Sequence, residues 1–313
     1  MRKCRFENGE RFLETEVIKV SVIVPLYNKE QYFERCFNSV VKQDRKDIEC
    51  IIVEDCSTDN SLKLANRLIE SYTGNIRFLL IQHEQNGGLS IARNTGINNS
   101  NGEYLYFLDS DDEITDNCID SLMILANKYP GVDIVQGNIF QYPRVENDCY
   151  ELKGVLPEFI KGNSEIREYY YKRYKRLPVN ACNKLIKKKF ITQNDLYYKE
   201  RLVHEDYHWL FFAIKKLETF AFTDEYCYIR YFVPDSIMMN PDLSQSISGY
   251  LTIAEDILNN LDVDWLEQQI RQLRWMLNWQ NERVLSDERY SFLMPKCQIL
   301  LALLAKISNR IEK

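Results

Sequence analysis

Three acidic residues crowd into four positions where an apolar run stops: Tyr104-Leu105-Tyr106-Phe107-Leu108 is followed by Asp109-Ser110-Asp111-Asp112. Carboxylates gathered at one strand end repel one another unless a cation sits among them. A hard divalent ion that keeps positions open for phosphate oxygens suits that arrangement. The plainer alternative is an acidic turn that caps a helix starting near Thr115. A second group lies at Gln85-Asn86-Gly87-Gly88, a turn leading into a segment that carries Arg93. Glycine admits close backbone approach, and a helix N-terminus favours phosphate, which Arg93 could meet as well. The glycine pair is neither GxGxxG nor GxxxxGK[ST], so neither a Rossmann dinucleotide site nor a P-loop is supported. Asp55, closing another apolar run, can accept a hydrogen bond from a ring N–H such as that of uracil. A third group is His204-Glu205-Asp206-Tyr207-His208, with adjacent acids where a helix should begin and two histidines four apart on one face.

These groups need elements to hold them. Val20 to Tyr27, Ile48 to Val53, Ile76 to Ile81 and Tyr104 to Leu108 read as buried strands. Between them, Glu30 to Gln43, a segment carrying Leu62, Leu64, Ala65, Leu68 and Ile69, and Gly88 to Ile97 read as helices. Such alternation predicts a parallel sheet covered on both faces, with ligands at the carboxyl ends of its strands. The polar clusters fall at those ends: Tyr27-Asn28, Glu54-Asp55, Asn86-Gly87 and Asp109 to Asp112. From about residue 132 the pattern changes. Val132 to Tyr142, Tyr150 to Phe159 and Phe220 to Phe232 read as extended, and His204 to Lys216 as a helix. The aromatic and basic tract 169–176 reads as a solvated helix with its rings packed below. After Pro234 and Pro241 the chain is expected to be helical, with apolar faces at Trp265, Leu266, Ile270, Leu273, Met276, Leu277 and at Ile299, Leu300, Leu303, Leu304, Ile307.

The net charge of −6 argues against a nucleic-acid partner, which needs a basic surface. The nine cysteines are scattered, odd in number and without zinc spacing, a pattern of a reducing cytoplasm. The polar residues after Met1-Arg2-Lys3 show no signal peptide, and no run of about 18 uninterrupted apolar residues is present.

Four motifs in order carry a resemblance. Val22-Ile23-Val24-Pro25-Leu26-Tyr27-Asn28, Ile52-Val53-Glu54-Asp55-Cys56-Ser57-Thr58-Asp59, Gly88-Leu89-Ser90-Ile91-Ala92-Arg93-Asn94 and Phe107-Leu108-Asp109-Ser110-Asp111-Asp112 are similar to those of family 2 glycosyltransferases with the GT-A fold. The resemblance covers about residues 18–233. It departs at Glu54-Asp55-Cys56, where the family more often has Asp-Asp-Gly.

What it implies is an α/β GT-A fold: a mainly parallel nucleotide-binding sheet flanked by helices, a mixed acceptor-side region and a helical C-terminal extension. The division would be 1–240 for the transferase domain, its halves about 18–130 and 131–240, and 241–313 for the extension. The implied activity is inverting transfer of a sugar from a nucleoside-diphosphate sugar to a hydroxyl of a glycan or lipid-linked acceptor. Pro25, Tyr27, Asn28, Glu54, Asp55, Asn86, Gly87, Arg93 and Asp109 would bind the nucleotide, with Asp55 reading the base and Asp109 near the ribose. Asp111, with Asp109, would hold Mn2+ or Mg2+, and Asp112 would support the turn. Asp206 is assigned as the base, with Glu205 next in rank. His208 and Lys184 are weaker candidates, for an acceptor or supporting contact, and His83 has no visible role. A nucleotidyltransferase or a catalytically silent nucleotide-sugar binder are the competing classes. The C-terminal helices are read as core or homodimer contacts, with peripheral docking at the inner face of the plasma membrane left open by their basic residues.

Overall fold

The computed structural model describes residues 2–6, 17–43, 45–143, 154, 156–171, 177–233 and 243–311. The expected strands form as β2 (Val20–Leu26), β3 (Ile48–Glu54), β4 (Arg77–Gln82) and β5 (Tyr104–Phe107). They pair in parallel in the order β4-β3-β2-β5, and β1 (Arg2–Phe6) closes the β4 edge antiparallel. Every residue of β2, β3 and β5 is buried, as expected for parallel strands covered on both faces.

The intervening helices supply that cover. α1 (Phe33–Val41), α2 (Ser61–Ser71) and α4 (Cys118–Lys128) share one core with Val22, Val24, Ile52 and Tyr106. α3 (Leu89–Asn99) covers the opposite face, where Ile97 packs with Ile23. Its Gly96 lets it approach closely: a Cβ there would meet Ile23 Cγ2 at 2.3 Å.

Beyond β5 the sheet becomes mixed. β9 (Lys184–Lys187) pairs antiparallel with β5 and with β7 (Ile134–Tyr142). β10 (Thr219–Tyr231) runs parallel to β7 and antiparallel to the short β6 (Glu113–Ile114) and β8 (Phe159–Lys161). α5 (Asn163–Tyr171), α6 (Lys188–Gln193) and α7 (Glu205–Ile214) pack on this half. The expected extended segment 150–159 lies mostly outside the described residues. Of the 169–176 tract, Tyr169 to Tyr171 end α5 with Tyr169 and Tyr170 buried, and 172–176 lie outside them.

The C-terminal helices are α8 (Ser244–Asn259), α9 (Leu266–Ser286) and α10 (Met294–Ile311). They have a core of their own, and Leu202 and Phe211 from around α7 enter it. A division near residue 240 falls outside the described residues. The α10 face read from sequence is split by the packing: Leu300 and Leu304 are buried, whereas Ile299 and Leu303 are exposed. Glu288–Asn309 is long and apolar enough, by length and composition, to cross a membrane, at mean hydropathy 1.3. Lys296, Gln298 and Lys306 interrupt this stretch, so no run of about 18 uninterrupted apolar residues is present in it, as expected from the sequence.

Candidate active site

The carboxyl ends of β2, β3, β4 and β5 open on one rim, and the acids there have divided the work. Asp55 is buried and both of its oxygens are engaged. Oδ1 lies 2.6 Å from His83 Nδ1 and accepts the Gly87 N–H at 2.9 Å, while Oδ2 accepts the Gly88 N–H at 2.8 Å. His83 Nε2 in turn lies 3.0 Å from Thr95 Oγ1, and Asn86 Nδ2 donates to the Asp55 carbonyl at 3.0 Å. Asp55 therefore clasps the glycine turn, and its Oδ2, with one donor among the described residues, keeps a lone pair of the kind a ring N–H would need. His83, which showed no role in the sequence, is its partner. The turn needs its glycine, since Gly88 sits at φ +85.

Glu54 is the freer acid. Its Oε1 accepts the Ser57 N–H at 2.6 Å, and its buried Oε2 has no hydrogen-bond partner. A buried acceptor left without a donor is costly, so it marks a place where a ligand N–H or water fits. Cys56 keeps the left-handed backbone that glycine would adopt, at φ 60. The departure from the family motif thus preserves the turn at the cost of backbone strain. Asn28, also left-handed at φ 50, ties the β2 end to this turn by accepting the Thr58 N–H at 2.8 Å. Tyr27 is exposed beside it. Pro25 is buried within β2, opposite Val53 and one residue before the strand ends.

At the end of β5, Asp111 makes an ion pair with Lys29 at 2.8 Å. Asp112 is buried, accepting from the Tyr228 hydroxyl at 2.7 Å and the Tyr231 N–H at 2.8 Å. Burial, helped by the charges of Asp109 and Asp111, pushes its carboxyl up to about 8. It braces the turn against β10, as expected. Asp109 remains a third exposed, and burial raises its carboxyl above the usual range while Arg93 opposes that. Among the described residues no group of three or more His, Cys, Asp or Glu side chains is arranged to hold a metal. The donor set therefore fits an ion that takes most of its ligands from a bound diphosphate and only one or two from Asp111 and Asp109.

Arg93 joins the donor rim to the second motif. It is buried in α3, and its Nη2 donates to Asp109 Oδ1 at 3.1 Å. Its Nη1 reaches Glu205 Oε1 at 2.5 Å and Asp206 Oδ1 at 2.8 Å. Burial works against its charge, and Asp206, Glu205 and Asp109 together outweigh it. Arg93 thus bridges three carboxylates across the site. Asn94 beside it exchanges two hydrogen bonds with the Tyr198 backbone, at 2.8 and 2.9 Å. The Tyr198 ring lies under the guanidinium, 5.2 Å from Cζ.

Glu205 and Asp206 differ although they are neighbours. Glu205 is buried, and burial followed by the Asp206 charge lifts it to about 7. Asp206 keeps 23% of its side chain exposed, and its Oδ2 accepts the Ala181 N–H at 3.0 Å. Lys184 is buried in the wall behind, donating to the Asn180 carbonyl, and burial lowers it to about 8. The two histidines turn away. His204 Nε2 meets Ser246 Oγ at 2.8 Å and its ring stacks on Tyr250, while His208 Nε2 meets Asp256 Oδ2 at 3.0 Å. Both dock α7 onto α8, which makes His208 a supporting residue of the helix that carries Glu205 and Asp206. Lys29 and Tyr228 were missed by sequence reasoning. Lys29 directly follows Tyr27-Asn28, a signal that was available, whereas nothing local marks Tyr228.

The family model described as Glycosyl transferase family 2 matches residues 21–203, more than half of the chain. The chain belongs to glycosyl transferase family 2. It is 37% identical over 161 residues to the glycosyltransferase GlyA of Streptococcus pneumoniae, covering 51% of this chain and 21% of that one. It is 30% identical over 190 residues to the poly(ribitol-phosphate) beta-N-acetylglucosaminyltransferase TarS of Staphylococcus aureus, covering 59% and 30%. The chain thus spans less than half the length of these curated relatives. The crystal structure of TarS 1–349 with UDP-GlcNAc superposes with a TM-score of 0.65 at 22% identity, over 91% of this chain and 80% of that one. A mannosyltransferase of Pyrobaculum calidifontis, solved with GDP-Man and Mn2+, gives 0.62 at 14% identity, over 92% and 75%. These likenesses establish the GT-A fold.

Proposed function

We propose that the chain is an inverting glycosyltransferase. It would move a hexosyl or N-acetylhexosaminyl group from a UDP-sugar to a hydroxyl of a glycan or lipid-linked acceptor in cell-surface polysaccharide synthesis. The observation that carries this reading is the Arg93 bridge. One side chain ties Asp109, at the end where a donor diphosphate would lie, to Glu205 and Asp206, where an acceptor would enter. A base and a leaving group on opposite sides of one anomeric carbon are what inversion requires.

Asp206 is the base in this reading because it is the member of the pair that reaches solvent, and the Ala181 N–H and Arg93 hold it in one orientation. As the acceptor oxygen bonds to the anomeric carbon, its proton passes to Asp206 and the bond to the diphosphate oxygen breaks. Glu205 anchors Arg93 from below. Asp55 would accept a nucleobase N–H, and Glu54, holding the Ser57 N–H, shapes the turn beside it. Asp111 and Asp109 would hold Mn2+ or Mg2+, which would supply Lewis-acid neutralisation of the leaving diphosphate. Lys29 holds the Asp111 carboxylate in place. The Mn2+ that accompanies GDP-Man in the Pyrobaculum mannosyltransferase supports the metal, and the UDP-GlcNAc complex of TarS supports the donor class. A cytoplasmic site, or one at the inner face of the plasma membrane, is consistent with the free state of Cys36, Cys50, Cys56, Cys118, Cys182, Cys227 and Cys297.

A thermal-shift panel of UDP-, GDP- and dTDP-sugars with and without Mn2+ tests the reading. A UDP-sugar should raise the melting temperature by mass action, and more so with Mn2+. A panel in which no nucleotide sugar shifts it would refute the reading.

A further inference from the structure

One groove among the described residues contains none of the site residues discussed so far. It is a groove of about 490 Å³ between the loop Lys199–Val203 and α8, with Phe292 at its lip. Three residues past Val203 comes Asp206, so one wall of the groove is continuous with the segment that carries the proposed base. The loop lies close against α8. A Cβ at Gly249 would stand 2.6 Å from the Val203 carbonyl oxygen, so glycine is what permits this approach. Arg201 is left-handed at φ 56, and His204 at φ 66 ends the loop against Ser246 and Tyr250.

The walls are mostly polar, with charges of both signs and one exposed ring. Ser244, Ser248 and Thr252 stand at i, i+4 and i+8 on one face of α8, a polar stripe about 12 Å long by helix rise, with Gln245 beside it. On the loop side, Glu200 and Arg201 are exposed and make no ion pair or side-chain hydrogen bond among the described residues. Lys199, by contrast, is paired with Asp256. The groove therefore offers donors from Arg201, acceptors from Glu200 and groups of both kinds from Gln245 and Ser248, with the two unpaired charges cancelling. Phe292, 67% exposed, adds an apolar ring face at the edge. A sugar hydroxyl both donates and accepts, and a pyranose has an apolar C–H face that packs on an aromatic ring. A phosphate chain would find Glu200 against it.

We infer that this groove binds an uncharged glycan segment of the acceptor. The inference rests on the transferase reading and deepens it by naming the acceptor class. It gives α8 and Phe292 of the helical extension a part in acceptor recognition.

The test uses the intact chain and four defined probes followed by calorimetry: maltohexaose, cellohexaose, chitohexaose and a hexamer of glycerol phosphate. At least one neutral hexasaccharide should bind saturably and about tenfold more tightly than the glycerol-phosphate hexamer. Arg201→Gln and Phe292→Ala should each weaken it about five- to tenfold, the scale of one lost hydrogen bond or ring contact. Ser248→Trp, which fills the groove, should abolish it. All three side chains are exposed, and unchanged UDP binding in each variant shows that the donor side remains intact. Tighter binding of the glycerol-phosphate hexamer, no saturable binding of any hexasaccharide, or affinities indifferent to Arg201 and Phe292 would each overturn the inference. UDP binding by the wild type with no saccharide binding would remove the groove alone and leave the transferase reading standing.

Discussion

Two pairs of adjacent acids, Asp111-Asp112 at the end of β5 and Glu205-Asp206 at the start of α7, look alike in sequence and are treated alike by the fold. In each pair one carboxyl is buried and raised, Asp112 to about 8 and Glu205 to about 7. The other stays accessible, Asp111 beside Lys29 and Asp206 beside Arg93 and the Ala181 N–H. The buried member braces, and the accessible member is left to meet a ligand. Two full charges side by side at a closed site would repel; burying one as the acid relieves that repulsion and fixes the geometry of the other. The pairs differ in what the buried acid holds. Asp112 holds neutral groups, the Tyr228 hydroxyl and the Tyr231 N–H, whereas Glu205 holds the Arg93 guanidinium.

That division of labour can be broken one residue at a time. The largest effect is expected at Asp206. Asp206→Asn should keep fold and UDP binding but slow single-turnover transfer by about 10²–10⁴-fold, the range of a lost general base. Transfer at the wild-type rate would move the base elsewhere. Next comes Asp111→Asn, which removes the ligand charge. It should lower Mn2+-dependent UDP affinity about tenfold or more by calorimetry while leaving metal-free affinity nearly unchanged. Undiminished affinity would place the metal on other residues.

Glu205→Gln should cost less transfer than Asp206→Asn, about tenfold, because the amide oxygen can still accept from Arg93. It also has a pH consequence. The folded carboxyl is raised from 4.5 to about 7, so the native state holds the proton more tightly than the unfolded chain. The stability this contributes is fully present below about pH 4.5 and is lost as pH rises through 7. Urea midpoints measured from pH 4.5 to 8 should fall in the wild type and fall less in Glu205→Gln; parallel profiles would deny the raised pKa. The smallest effect belongs to Asp112→Asn, a near-isosteric replacement of an acid that is already mostly protonated at neutral pH. A loss of about 1 kcal/mol in urea unfolding is expected. A loss several times larger would show that Asp112 carries a charge the turn depends on.

The clasp around Asp55 and the bridge around Arg93 show where sequence reasoning reached its limit. The strand-end position of both residues was legible, because apolar runs and their polar stops are local patterns. Their partners were not. Asp55 is met by groups 28 to 33 residues further on, and Arg93 by carboxylates 16, 112 and 113 residues away. His204 and His208 show the same limit. Their helical spacing was correct, but their face points to α8, whose packing no local pattern announces.

The sequence by itself determined the alternation of buried strands and helices, the parallel half of the sheet, the rim at which the acids gather and the family to which the chain belongs. Each of these follows from side-chain periodicity or from residues contiguous in the chain. Only the tertiary structure decided which acid of each pair is buried, that Asp55 is engaged while Glu54 keeps an acceptor free, and that Arg93 spans the two halves of the site. It also decided that α8 and its loop enclose a groove. The reason is physical: burial and pairing are set by what lies opposite across the fold, and a charge takes its pKa and its role from neighbours that the chain brings together only when it closes.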